Sequence, residues 1–155
     1  MARGPGVKAG SVSHVPVAGY DFLSTFYDLA GGKGTLTDEI DGTSFKSLLL
    51  DPCQTELKRP NDALIFHRPR RLESAIRVAE HKLLIKWNVK GDVVSRSLYR
   101  VDINPTEEGN DIAGDHSELV LSLEKQLLGY LDSVDAEKPK PQPPKKKRNK
   151  KGKKN

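Results

Sequence analysis

The chain has 155 residues, 35% hydrophobic and 6% aromatic, enough for one modest domain with a thin apolar core. Its net charge of +5 is uneven: the ten Lys and Arg of 138–155 have no acid among them, which leaves 16 basic against 21 acidic residues over 1–137, a net of −5. The single cysteine, Cys53, excludes an internal disulfide and a cysteine metal cluster, and no apolar run approaches the roughly 18 residues of a membrane span. Met1 to Gly6 lacks the apolar stretch of a secretory leader, so the chain as written is expected to be cytoplasmic.

Met1 to Ser13 is Gly-rich, polar and aperiodic, a loop or frayed start. Asp21 is placed to cap a short helix over 21–30, in which Phe22, Leu23, Phe26, Leu29 and Ala30 lie on or near one face and Gly31-Gly32 provides the stop. That face needs a neighbour to bury it, and the nearby sequence offers few apolar partners. Turn residues then fill 33–61 around one apolar cluster, Phe45, Leu48, Leu49 and Leu50, closed by Asp51-Pro52, and the segment's own contacts are expected to order it weakly.

The period changes at Ala63. Ala63-Leu64-Ile65-Phe66-His67, Ala75-Ile76-Arg77-Val78, Leu83-Leu84-Ile85-Lys86-Trp87 and Ser97-Leu98-Tyr99-Arg100-Val101 read as strands, with Glu80-His81 as a tight connection and Lys90-Gly91 as another. Leu72, Ile76 and Ala79 are also helically spaced, which keeps a helix over Leu72 to His81 as the alternative to the strand. Short connections predict an antiparallel meander. Asp115 and Glu118 resemble a capping box, and Val120, Leu123, Leu127, Leu131 and Val134 form a 3.6-spaced stripe over a helix of about 19 residues. The prolines and lysines after Glu137 are expected to be disordered. The expected fold is α+β: a small four-stranded antiparallel sheet packed by a C-terminal helix, preceded by a short helix and loops. Its divisions fall at 1–61, 62–137 and the basic tail 138–155.

These segments, in their order and spacing, resemble the C-terminal part of a sulfatase of the arylsulfatase type, in the alkaline-phosphatase superfamily. Tyr20-Asp21-Phe22-Leu23-Ser24-Thr25-Phe26-Tyr27-Asp28-Leu29-Ala30-Gly31 is similar to the family's late helix, and Asp41-Gly42-Thr43-Ser44-Phe45 with Leu48-Leu49 to its D-G-x-S-hydrophobic loop. Leu64-Ile65-Phe66-His67, Ser74-Ala75-Ile76-Arg77 and His81-Lys82-Leu83 are similar to the sheet of its C-terminal subdomain. Leu98-Tyr99 through Asn104-Pro105, Glu107-Glu108 and Asn110-Asp111-Ile112-Ala113 are similar to the link into the closing helix. The resemblance spans roughly residues 4–140 and makes 1–61 a remnant of the family's main domain. The family usually has proline where Ser24 stands, which would loosen the helix start, and the basic tail lies outside the shared pattern.

The resemblance implies chemistry that these residues do not carry. Members of the family oxidise the first residue of Cys/Ser-x-Pro/Ala-x-Arg to formylglycine and attack sulfur beside a calcium ion; an activated oxygen nucleophile and cations on the transferring oxygens are what a sulfate ester requires. Cys53 is followed by Gln54-Thr55-Glu56-Leu57, which lacks the small residue and the arginine. Asp38-Glu39 and Glu107-Glu108 read as solvated turn charges, and Asp115-His116, superficially like a metal pair, sits where capping explains Asp115. Calcium and formylglycine are expected only in a complete family member.

The candidate substrate-binding residues are His67 and Arg68, because this strand end approaches the cleft in the family and a guanidinium suits an anionic group. Without the resemblance they read as a partly exposed strand end, and Arg68-Pro69-Arg70-Arg71 as a solvated basic loop. Trp87 alternates with Ile85 and reads as core. The expected function is that of a sulfatase C-terminal fragment that shapes a cleft for a sulfated small molecule or glycan, inactive without an N-terminal catalytic portion. Complete members are often secreted, periplasmic or lysosomal. The alternative is a binding module whose tail, Pro143-Pro144-Lys145-Lys146-Lys147-Arg148, contacts nucleic acid or acidic surfaces weakly and without sequence preference.

Overall fold

The computed structural model describes residues 1–34, 36–37, 40–107 and 109–139. The chain divides into two compact units, Met1–Leu64 and Ile65–Asn155.

In the first unit, α1 spans Asp21–Leu29 and α2 spans Lys46–Leu50. Tyr20, not Asp21, occupies the cap of α1, and no side chain caps it. Asp21 is instead the first helical residue, and its carboxylate accepts the Ala18 N–H at 2.6 Å and the Thr43 N–H at 3.0 Å. The C-terminus of α1 follows expectation: Gly31, at φ 77, donates its N–H to the Asp28 carbonyl at 3.2 Å, and Gly32 donates to that of Tyr27 at 2.9 Å. This double closure uses the left-handed residue that glycine adopts without a Cβ penalty.

The segment after α1 is better tied than its composition suggests. Ser24 Oγ donates to the Gly42 carbonyl at 2.7 Å, the Phe45 N–H donates to Thr25 Oγ1 at 3.1 Å, and Ser44 Oγ donates to Asp28 at 2.8 Å. The hydroxyl at position 24 clasps the helix to its loop. A Cβ at Gly42 would collide with the Tyr20 carbonyl, which accounts for glycine there. α1 is inverted relative to its apolar stripe: Asp21, Ser24 and Thr25 are buried, while Phe22, Leu23, Phe26 and Leu29 stay 47–61% exposed. Polar side chains take the inner face because the adjacent loop presents backbone groups that need partners.

Starting at Leu64, the last residue of the first unit, β1 (Leu64–Arg68) leads into the second, where it forms one antiparallel sheet with β2 (Glu73–Val78), β3 (His81–Trp87) and β4 (Val93–Arg100) in the order β1-β2-β3-β4. α3 runs from Ser117 to Ser133. The helical alternative for 72–81 is excluded, since Ile76 pairs with Leu83 and Leu83 with Leu98. Ala79 makes the β2–β3 turn with φ 49. β4 starts four residues before the expected Ser97, and its pairing shifts at Trp87, which faces Val93 after Lys86 faces Ser95. Its charged Arg96 disguised the start, because only a partner on α3 lets that residue face inward.

That partner is Glu124, 7% exposed, whose two oxygens each accept from Arg96 at 2.7 Å. Around it, Ile76, Leu83, Ile85, Leu98 and Leu127 are fully enclosed, with Val120, Leu123 and Leu131 beside them. Val134, the last of the expected stripe, is the C-cap of α3 and 51% exposed. No capping box forms: His116 is the N-cap and makes no side-chain cap hydrogen bond, and Asp115 stands one position outside. The link before α3 is pinned to β4, because Asp111 accepts the N–H groups of Leu98 (2.9 Å) and Ala113 (3.0 Å) while Ile112 donates to the Leu98 carbonyl at 2.9 Å. No helix of the described residues is long and apolar enough to cross a membrane.

Candidate functional site

β1 delivers His67 and Arg68 to opposite faces of the sheet, as strand alternation requires. His67, half-buried, turns to the side covered by α3. Its Nδ1 lies 2.8 Å from Ser74 Oγ and its Nε2 lies 2.8 Å from the Glu137 carbonyl. A carbonyl only accepts, so Nε2 carries the proton. In the neutral ring Nδ1 then accepts from the Ser74 hydroxyl, and the Trp87 indole N–H donates to the same Ser74 oxygen at 2.8 Å. Trp87, Ser74, His67 and Glu137 form a directed chain in which both ring nitrogens are engaged. This chain fastens the segment that follows α3 to the sheet.

His67 and Trp87 also line a hollow of about 250 Å³ with Leu131, Asp132, Asp135 and Glu137. Arg68, on the other face, pairs with Glu73 at 2.8 Å. It borders one hollow with Phe66, Ala75, Lys82 and Leu84, and another with Pro69, Arg70, Arg71 and Glu137. The two candidate residues are adjacent in sequence but do not converge on one point. Trp87 is half-buried on the face of Ile85, with its indole N–H taken by Ser74.

Sequence reading missed Ser74, which is 2% exposed and joins His67 to Trp87; the available signal was a polar residue in phase with Ile76. It also missed Arg59, whose side chain is 7% exposed and holds the fully enclosed Asp21 carboxylate at 2.6 and 2.7 Å while donating to the Pro16 carbonyl at 2.9 Å. Burial pushes the Asp21 carboxyl up, but Arg59 and the N–H groups of Ala18 and Thr43 outweigh it and hold the group below the ordinary carboxylate value. Asp111 behaves alike: burial opposes the charge, and the Ala113 and Leu98 N–H groups keep it low.

The other candidates for chemistry are dispersed. Cys53 is exposed, and its N–H donates to Asp51 at 2.9 Å. Glu107 accepts from Lys82 at 2.6 Å; Asp38, Glu39 and Glu108 lie outside the described residues, as do 140–155 of the tail. The rings of His81 and His116 are 6.5 Å apart, and among the described residues no group of three or more His, Cys, Asp and Glu could hold a metal ion. The described residues do not fit a calcium site, which needs about six to eight converging oxygens.

No family model and no curated protein matches the chain. Solved structures do. A protein determined with its substrate D-glucosamine-2-N,6-O-disulfate is 26% identical, with a TM-score of 0.57, over 83% of this chain and 26% of that one. The 4S-sulf protein from a glycosaminoglycan-metabolism locus of Bacteroides thetaiotaomicron is 18% identical (TM-score 0.55; 75% of this chain, 26% of that one). The protein yidJ of Bacteroides fragilis, assigned as a sulfatase, is 15% identical (TM-score 0.55; 75% and 25%). The chain spans about a quarter of the length of these structures. Its fold and the order of its segments are those of the C-terminal portion of a sulfatase.

Proposed function

We propose that this chain is the C-terminal subdomain of a sulfatase of the arylsulfatase type, in the alkaline-phosphatase superfamily, that walls one side of a sulfate-ester cleft and does not hydrolyse the ester alone. The observation that carries the reading is the α+β fold shared with proteins in which it is about a quarter of the chain. The exposed apolar face of α1 supports it, since Phe22, Leu23, Phe26 and Leu29 want the cover that an N-terminal catalytic portion would provide. In this reading 1–61 is a remnant of the main domain, 62–137 the subdomain and 138–155 an added tail. A sulfated glycan is the substrate class, by analogy with the neighbour bound to a disulfated glucosamine. Arg68 would contact the substrate directly, and His67 would position the wall. Calcium and formylglycine, in the complete enzyme, would supply the Lewis acid and the nucleophile from outside this chain.

A chimera tests the proposal: the equivalent quarter of the glucosamine-disulfate neighbour is replaced by this chain and compared with the same neighbour truncated. The isolated chain should not turn over an aryl sulfate, and the chimera should recover hydrolysis that the truncation loses. Turnover by the isolated chain, with no formylglycine in its mass spectrum, would sink the reading, as would a folded chimera no more active than the truncation.

A second reading has a sequence observation behind it: ten Lys and Arg without an acid over 138–155. Polycations bind phosphates through counterion release. Deleting 138–155 should then remove all salt-sensitive binding to nucleic acid, whereas retained binding to a sulfated glycan favours the first reading.

A further inference from the structure

We infer that the turn between β1 and β2 is a binding site for the sulfate group of a sugar, held by the guanidinium groups of Arg70 and Arg71. The inference rests on the sulfated-glycan reading above and adds the residues that would recognise the anion.

The sequence puts three arginines within four residues, Arg68-Pro69-Arg70-Arg71. Arg68 shares its charge with Glu73 at 2.8 Å but keeps its side chain 53% exposed, and Arg70 and Arg71 beside it are exposed and have no ion-pair partner among the described residues. The backbone beneath them is fixed at several points. Pro69 restricts its own φ, the Leu72 N–H donates to the Pro69 carbonyl at 3.2 Å, and the Trp87 N–H donates to the Leu72 carbonyl at 2.9 Å. Leu72 itself is held at φ 57, ψ 41, a left-handed conformation unfavourable for a branched side chain and kept only where surroundings over-determine it. Two guanidinium forks on a fixed turn lose less freedom on binding an anion than they would on a mobile loop.

The chemistry suits one sulfate among hydroxyls. A guanidinium presents paired N–H donors that match two oxygens of a tetrahedral anion. Arg68, Pro69, Arg70, Arg71 and Glu137 line one open hollow. Two neighbouring guanidinium groups supply enough donors for the oxygens of one tetrahedral anion carried on a sugar.

The experiment titrates the ¹⁵N-labelled full chain with a heparin-derived disaccharide carrying N- and O-sulfates, and with its desulfated counterpart. Shifts should centre on 68–72 with the sulfated probe alone. Arg70→Ala/Arg71→Ala should weaken binding about tenfold or more, Arg70→Lys/Arg71→Lys should restore part of it, and Lys90→Ala/Lys125→Ala, which removes equal charge elsewhere, should leave it unchanged. Shifts confined to 138–155, equal loss in the two alanine pairs, or equal binding of the desulfated sugar would overturn the site. An inactive chimera with intact binding at 68–72 would remove the sulfatase reading and leave the site; an active chimera indifferent to Arg70 and Arg71 would remove the site alone.

Discussion

Asp21 and Arg59 are 38 positions apart and meet with both carboxylate oxygens engaged, yet neither side chain is open to solvent. Removing one partner of such a pair strands a buried charge, so Arg59→Leu should cost about 3–5 kcal/mol in urea unfolding followed by the amide signals of Thr25 and Phe45. The same pair sets an acid dependence. Because the folded carboxyl lies below its unfolded value of about 3.9, its stabilisation is complete above that pH and is lost as pH falls through the lower folded value. The wild type should therefore lose stability on acidification below about pH 4, and Arg59→Leu should flatten that slope. An unchanged slope in the variant would mean that other carboxylates govern acid unfolding. No local pattern announces Arg59, since a lone arginine in a polar loop looks like any solvated charge; Asp41-Gly42 was legible only through its resemblance to a family loop, and the approach of Gly42 to the Tyr20 carbonyl that excludes a Cβ is visible only in the fold.

Among the elements, α3 was the most legible and the most instructive in its errors. Its stripe at Val120, Leu123, Leu127 and Leu131 is the buried face, and Leu127→Ala should destabilise the second unit by about 2–5 kcal/mol, read from the Trp87 fluorescence transition. Its C-terminus closes in the same double bond as that of α1, with the Asp135 N–H on the Asp132 carbonyl at 3.2 Å and the Ala136 N–H on that of Leu131 at 2.9 Å. Here the left-handed residue is Asp135, at φ 47, not glycine. Asp135→Gly should raise stability by about 0.5–1 kcal/mol, seen as a higher midpoint in thermal melting. A lower midpoint would mean that the aspartate side chain contributes more than the backbone strain costs. The capping box failed because its pattern specifies spacing and not register: the Asp111 clasp on β4 sets where the chain can turn into the helix. β4 was read too short because Arg96 looks like a loop residue until Glu124 is opposite it.

At the scale of the whole molecule, α1 stands out by exposing what a helix ordinarily hides. Phe22 packs against Phe26 at 5.6 Å and edge-on against Phe45 at 5.4 Å, and the rest of the face stays open. The chain should bind an environment-sensitive hydrophobic dye, and Leu23→Ser/Phe26→Ser should reduce that binding severalfold while the amide signals of Thr25 and Phe45 hold their positions. Equal dye binding in the variant would place the apolar surface elsewhere.

The amino-acid sequence determined the period of each segment, and with it the four strands, the closing helix and the glycine stop after Leu29, because alternation, 3.6-spacing and left-handed closure are local properties of the backbone. Tertiary structure alone decided which polar groups meet. His67 parts from Arg68, Ser74 joins His67 to Trp87, Arg96 finds Glu124 and Arg59 finds Asp21, since a buried charge or hydroxyl is tolerated only where the fold brings its partner, and that partner lies dozens of residues away or on another element.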